Sequence, residues 1–181
     1  EIMGKHSNII LVEPVSGVII DGISRYSYAT SRHREVLPGR MYSPPPTPEG
    51  INPLVATEEL VRSALWAPNL ELPLEKLLVN RLAGFGPQTC REISYRAGLE
   101  PGISSQSIGD RELSLLWKSV RAIIDMVRSE RFEPTICSRD GRPVAFAPLS
   151  LTHLDGPCRR MDSMNEALDH FFCAREKETN L

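Results

Sequence analysis

The sequence predicts a mixed α+β fold, on three observations. Short β-branched runs broken by turn formers fill the chain to about residue 40. A proline-dense stretch follows, and beyond it the apolar period changes from two to 3.6. The first strands come from Ile9-Ile10-Leu11-Val12 and Val18-Ile19-Ile20-Asp21, which flank the turn formers Pro14 to Gly17 and so read as a β-hairpin. Ile9 to Val12 is apolar at every position, a pattern that predicts a strand covered on both faces. Pro44, Pro45, Pro46, Pro48 and Pro53 then exclude both helix and central strand, because each fixes φ and lacks an N–H. Thr57, with Glu58 and Glu59 behind it, is placed to cap a short helix. Its hydroxyl can accept from a free amide, and the carboxylates suit the positive end of the dipole. The strongest helix starts near Asp110 and carries Leu113, Leu116, Trp117, Val120, Ile123, Ile124 and Val127 on one stripe, which is a core face. Asp140-Gly141, between Pro134 to Cys137 and Pro143 to Phe146, signals a second hairpin. Ser163-Met164-Asn165-Glu166 is a capping box that opens a last helix, whose apolar Leu168, Phe171 and Phe172 give way to charged residues. The resulting divisions are 1–53 (β), 54–131 (helical), 132–162 (a short β element) and 163–181 (the beginning of a long helix or coiled coil).

The chain has 181 residues, 41% of them hydrophobic and 24% charged, which fits one large domain or two small ones. No apolar run approaches the roughly 18 residues that a membrane span needs. The 21 basic and 23 acidic residues nearly cancel, so any hold on nucleic acid must come from a local patch. Of the basic residues 17 are Arg and 4 are Lys, and guanidinium forks suit phosphates and base faces. Cys90, Cys137, Cys158 and Cys173 include no C-x-x-C pair and read as reduced, buried thiols of a cytoplasmic protein. The chain opens Glu1-Ile2-Met3 directly in strand-like sequence, as expected of an excised fragment.

Two segments suggest chemistry. Leu82-Ala83-Gly84-Phe85-Gly86-Pro87, leading into Gln88 to Ile93, reads as a helix-hairpin-helix. Gly84 and Gly86 permit the positive φ of a tight turn, and Pro87 is preorganised to start the next helix. Such a turn brings backbone N–H groups to a phosphate, with Arg81 and Arg91 close in sequence; the same geometry also serves a purely structural hairpin. Between Ser24 and Arg40, Arg25, Arg32, Arg34 and Arg40 face one acid, Glu35, and alternate with Tyr26, Tyr28 and His33. Cations among aromatic rings suit unstacked RNA bases, and a solvated loop is the alternative. Gly4-Lys5-His6-Ser7 is no phosphate loop, because strand-like sequence follows it instead of a helix. His153 and Asp155 can pair with each other but lack a nucleophile, and Cys158, His170 and Cys173 lack a fourth metal ligand.

Several motifs in a fixed order carry a wider resemblance: Glu1-Ile2-Met3-Gly4-Lys5-His6-Ser7-Asn8, Ser31-Arg32 through Leu37-Pro38-Gly39 with Tyr42 and Pro44-Pro45-Pro46, the Gly84 to Ile93 hairpin, and Pro143-Val144-Ala145-Phe146 with Leu151-Thr152-His153-Leu154. Over essentially its whole length the chain resembles the NFACT family, first labelled fibronectin-binding protein A, which includes bacterial ribosome quality-control factors of the RqcH type. The resemblance implies the latter part of a β-rich domain similar to formamidopyrimidine-DNA glycosylases, then a helix-hairpin-helix domain, then the beginning of a coiled coil. It implies no catalytic residue, metal or cofactor in this region. The implied partners are tRNA and a large ribosomal subunit obstructed by peptidyl-tRNA, and the implied activity is untemplated C-terminal tailing with alanine. Glu1, Ile2, Met3 and Gly4 map to the face that meets the tRNA; Arg32 and Arg34 of the basic stretch, as tRNA contacts, and Gly84, Gly86 and Arg91 of the hairpin, as contacts to a nucleic-acid backbone, are candidates from the residues themselves. The rival expectation is a surface adhesin for fibronectin or fibrinogen.

Overall fold

The computed structural model describes residues 1, 7–31, 33–46, 50–66 and 71–179, apart from the side chains of 177–179. Two compact units form, Glu1–Pro48 and Glu49–Leu181, and they part inside the proline stretch.

In the first unit, β1 (Ile10–Val12) and β2 (Ile19–Gly22) are antiparallel, pairing Ile10 with Gly22, Leu11 with Asp21 and Val12 with Ile19 across an irregular register. Ile19 and Val36 are buried, and Val36 is fixed by mutual backbone bonds with Tyr26. Asn8 is buried too, because its amide replaces strand pairing for Ser24: Oδ1 accepts from Ser24 N at 2.9 Å and Nδ2 donates to Ser24 O at 2.8 Å. The expectation that Ile9 to Val12 is covered on both faces is overturned, since Ile9 is 71% exposed and Leu11 58%. This unit supplies one buried apolar layer, around Ile19 and Val36, and one layer covers only one face of a two-stranded ribbon.

The second unit is built on helices α1 (Glu58–Leu65), α2 (Leu74–Arg81), α3 (Pro87–Arg96) and α4 (Asp110–Arg128). Thr57 caps α1 by accepting from Leu60 N at 3.3 Å. The predicted stripe of α4 buries Leu113, Leu116, Val120, Ile123 and Ile124 against Val61, Leu77, Leu78, Cys90 and Ile93, with Trp117 half-buried at its border. Each such aliphatic side chain contributes about 1.5–3 kcal/mol on full burial, so this cluster fixes the helices relative to one another.

The turn joining α2 to α3 corrects half of the glycine argument. Gly84 has φ +82°, in the left-handed region. Gly86 instead adopts φ −83° and ψ 170° as the residue preceding α3, with Pro87 at the first helical position. A Cβ added at Gly86 would meet nothing within 4 Å. Extended backbone suffices there because Pro87, not Gly86, sets the direction of the helix.

After α4 the chain forms β3 (Thr135–Arg139), β4 (Arg142–Ala147) and β5 (Cys158–Arg160), in the order β4-β3-β5 with both pairings antiparallel. Asp140 takes φ +51° in the tight turn between β3 and β4. Cys137 lies opposite Cys158 and the two are joined in a disulfide, Cα to Cα 4.0 Å. The expectation of four reduced, buried thiols therefore fails: only Cys90 is both free and buried, and Cys173 is exposed. Sequence separation hid a pair that strand register brings together. Helix α5 (Met164–Thr179) packs Ala167 and Phe171 on Ile136 and Met161, with Phe146 and Phe171 edge to face at 4.8 Å. At its start Glu166 N donates to Ser163 Oγ as a capping box requires, while the Glu166 carboxylate accepts from Asp162 N, one residue before the expected amide.

Gly84→Ala should destabilise the protein by about 1 kcal/mol, since an L-residue in the left-handed region costs that order. Gly86→Ala should lie within about 0.5 kcal/mol of the parent, or stabilise it slightly by restricting the unfolded chain. Urea denaturation of the two variants checks the contrast.

Candidate nucleic-acid interface

Of the expected tRNA-facing residues, Glu1 and Arg34 come together, while Ile2, Met3, Gly4 and Arg32 lie outside the described residues. Arg34 grips Glu1 with both arms of its guanidinium: Nη1 donates to Oε1 at 2.8 Å and Nη2 to Oε2 at 2.5 Å. Tyr42 donates its hydroxyl to Oε1 at 2.9 Å, and Arg34 also donates to Ser43 O. The pair is well shielded, with side chains 13% and 9% exposed. The Arg34 hydrogen bonds hold the Glu1 carboxyl below the usual carboxylate range against the opposing effect of burial, and Tyr42 adds to the lowering. Glu1 and Asn8 also exchange backbone hydrogen bonds, Asn8 N to Glu1 O at 3.1 Å and Glu1 N to Asn8 O at 2.9 Å.

The local positive excess expected between Ser24 and Arg40 is largely cancelled. Arg25 pairs with Asp21 at 3.0 Å, Arg40 with Glu35 at 3.1 Å, and Arg34 with Glu1. Counting charge within the segment missed two of these acids, because Asp21 and Glu1 reach it from β2 and from the start of the chain. Tyr28 remains exposed.

At the hairpin, no side chain caps the start of α3. Arg91 points outward and is exposed, and Arg81 is half-buried. Gln88, in the first turn, donates its side-chain amide to Phe146 O on β4 at 2.8 Å.

The most heavily hydrogen-bonded group was absent from the candidates drawn from the sequence. Glu92, in the middle of α3, is fully buried. Its Oε1 accepts from Arg96 Nε at 2.6 Å and Thr152 Oγ1 at 2.7 Å. Its Oε2 accepts from Thr152 N at 2.8 Å, His153 N at 3.1 Å and His153 Nδ1 at 2.7 Å. A carboxylate can only accept, so the imidazole proton sits on Nδ1. His153 thus pairs with Glu92 and not with Asp155, as adjacency in sequence had suggested. Burial alone would raise the Glu92 pKa, but the bonds from His153, Arg96 and Thr152 outweigh it and bring the pKa down to about 2. The available signal was the Glu92/Arg96 spacing of four, an ordinary surface pattern unless the helix face is known to be buried. Among the described residues no group of three or more His, Cys, Asp or Glu side chains is placed to hold a metal ion.

The fold and these contacts define an α+β protein in which a small β unit precedes a helical unit braced against a three-stranded sheet. The chain belongs to the NFACT family: residues 1–181 match the family described as NFACT N-terminal and middle domains. It is 38% identical over 172 residues to "Rqc2 homolog RqcH" of Bacillus subtilis (strain 168), covering 95% of this chain and 28% of that protein. A protein of the same name from Streptococcus pneumoniae (strain D39) is 36% identical over 93 residues, 51% of this chain and 16% of its own. Among solved structures, the fibrinogen binding protein from Staphylococcus aureus superposes with a TM-score of 0.67 at 29% identity, covering 95% of this chain and 57% of that one. The N-terminal part of the fibronectin/fibrinogen-binding protein from Streptococcus suis gives 0.63 at 27%, covering 96% and 55%. The chain therefore spans little more than a quarter of the length of the B. subtilis relative.

Glu92→Ala should cost about 3–5 kcal/mol in urea denaturation, because five donors lose their shared acceptor and the shielded His153 ring loses its partner. The lowered pKa adds a pH dependence. Glu92 binds a proton more readily in the unfolded chain, near 4.5, than in the folded one, near 2. Its stabilisation, about 3 kcal/mol, is present above pH 4.5 and lost as the pH falls toward 2. The alanine variant should lack that part of the acid-induced loss.

Proposed function

We propose that this protein is a cytoplasmic ribosome quality-control factor and that the chain forms part of the surface with which the factor holds tRNA on an obstructed large ribosomal subunit during alanine tailing. The observation that carries the reading is the 38% identity to RqcH across 95% of the chain. The disulfide removes cysteine spacing as an argument for the cytoplasm, so location too rests on the family.

In this reading the segment Glu1 to Gly4 and Arg32 face the tRNA. Arg34 acts through Glu1: its guanidinium is matched by a carboxylate, so it fixes the start of the segment instead of neutralising a phosphate. The turn at Gly84 and Gly86, with Arg91, offers backbone amides and one cation to a phosphate, as a helix-hairpin-helix does. The β unit is the latter part of the glycosylase-like domain, and α5 leads into the coiled coil. The chain binds and positions without a catalytic centre or cofactor of its own.

The experiment is sedimentation of the full-length protein with large subunits carrying peptidyl-tRNA, followed by an assay of tailed product. Co-sedimentation with tailing supports the reading; recovery only in the cell wall, with retention on immobilised fibronectin, favours the adhesin. In tRNA titrations Arg32→Gln should flatten the dependence of log K on log salt by about one, as expected for one lost phosphate contact. Arg34→Gln should weaken binding with a smaller change of slope. Substitutions at Ile2 and Met3 should shift selectivity among RNAs more than salt dependence, because apolar side chains read shape and stacking.

A further inference from the structure

The bridge between Cys137 and Cys158 stands where the fold is also held by other means. β5 is the outer strand of its sheet, and backbone pairing flanks the bridge on both sides. Arg159 pairs with Ile136 and Arg160 with Thr135, Met161 N donates to Pro134 O at 2.7 Å, and Ser138 N donates to Pro157 O at 3.0 Å. Both cysteines also have a place in the reduced state. Cys137 is buried among Ala145, Ala147, Leu149 and Leu151, where a neutral thiol packs as a small apolar group. Cys158 Sγ lies 3.5 Å from Leu151 O, within reach of the weak hydrogen bond that an S–H donates.

The two cysteines differ in access. Cys137 is 1% exposed, whereas Cys158 is exposed at the edge of the sheet. The ring that the bridge closes contains the partners of the polar residues of α3: Phe146 O for Gln88, Ser150 for Arg96, and Thr152 and His153 for Glu92. Leu151, the acceptor open to a reduced Cys158, immediately precedes Thr152.

We propose that Cys158 is a redox modification site, at which low-molecular-weight disulfides reversibly close the bridge to Cys137 and so tighten the clasp on Glu92. In the closing direction the Cys158 thiolate attacks one sulfur of the oxidant RSSR, forming a mixed disulfide and releasing RS⁻. Cys137, directly opposite, gives up its proton and attacks the Cys158 sulfur, which releases the second RS⁻. Two protein thiols are thereby oxidised to one disulfide, and RSSR is reduced to two RSH. In the opening direction RS⁻ attacks the accessible Cys158 sulfur and frees Cys137, and a second RS⁻ then frees Cys158. The inference rests on the reading of the protein as cytoplasmic, because thiols are kept reduced there and a disulfide in that compartment is ordinarily transient.

The test equilibrates the purified full-length protein with mixtures of reduced and oxidised glutathione, from a cytosolic to a secretory poise, and maps free thiols by alkylation and peptide mass. The bridge should pass from open to closed within that range. In the closed state, amide hydrogen exchange at Thr152 and His153, whose N–H groups bond to Glu92, should slow by about tenfold or more, since the ring restricts opening of the loop. With oxidised glutathione, Cys137→Ala should carry the adduct on Cys158, while Cys158→Ala should leave Cys137 unmodified. A bridge that stays closed in the most reducing mixture is a structural one and overturns the proposal. A pair that stays open in the most oxidising mixture, an adduct on Cys137 but not on Cys158, or equal exchange at Thr152 and His153 in the two states also overturns it. These results are read on the isolated protein, so they stand apart from its recovery with ribosomal subunits or in the cell wall, which decides the reading beneath them.

Discussion

One buried carboxylate governs the second unit. Glu92 is out of contact with water, and a charge so placed is tolerable only when hydrogen bonds surround it. Five donors do so, and four of them come from Thr152 and His153, two residues about sixty positions later in the chain. The requirement extends along α3. Gln88 binds the β4 backbone at Phe146, and Arg96 binds Ser150 through its carbonyl and hydroxyl oxygens. These three residues, each four apart, form one polar line on the helix that holds residues 146–153, while Cys90 and Ile93 turn toward α2 and α4. Helix α3 thus joins the apolar helical core to the small sheet with two faces of different chemistry.

The elements set by local rules were legible. The Thr57 cap, the α4 stripe and the Asp140 turn depend on residues within a few positions of one another, and each forms where local pattern puts it. Gly86 was misread because two glycines close together invite one explanation, and only the backbone shows that the second is extended. Ile9 to Val12 was misread for a different reason. An unbroken apolar run reports the chemistry a strand offers to its surroundings, and it is silent on whether this chain supplies the cover.

The candidate residues were legible in type and not in state. The sequence marks Arg34 as an arginine in a basic stretch, but whether its charge is free depends on a carboxylate 33 residues away. Glu92 shows the opposite case, a residue indistinguishable by spacing from a solvated helix pair until Thr152 and His153 fold over it. The disulfide belongs with these, since Cys137 and Cys158 become neighbours only through the pairing of β3 with β5. Long-range partnership decides all three, and no local window contains it.

The bridge between Cys137 and Cys158, 21 positions apart, turns the segment between them into a covalent ring that holds the β3–β4 turn and the loop clasping Glu92. A backbone cut within that ring opens it without dividing the molecule. A nicked chain of this kind would run as a single species on a denaturing gel until a reductant was added, and would then separate into two pieces. Apparent intactness under oxidising conditions is therefore a poor guide to whether this part of the protein has been cleaved.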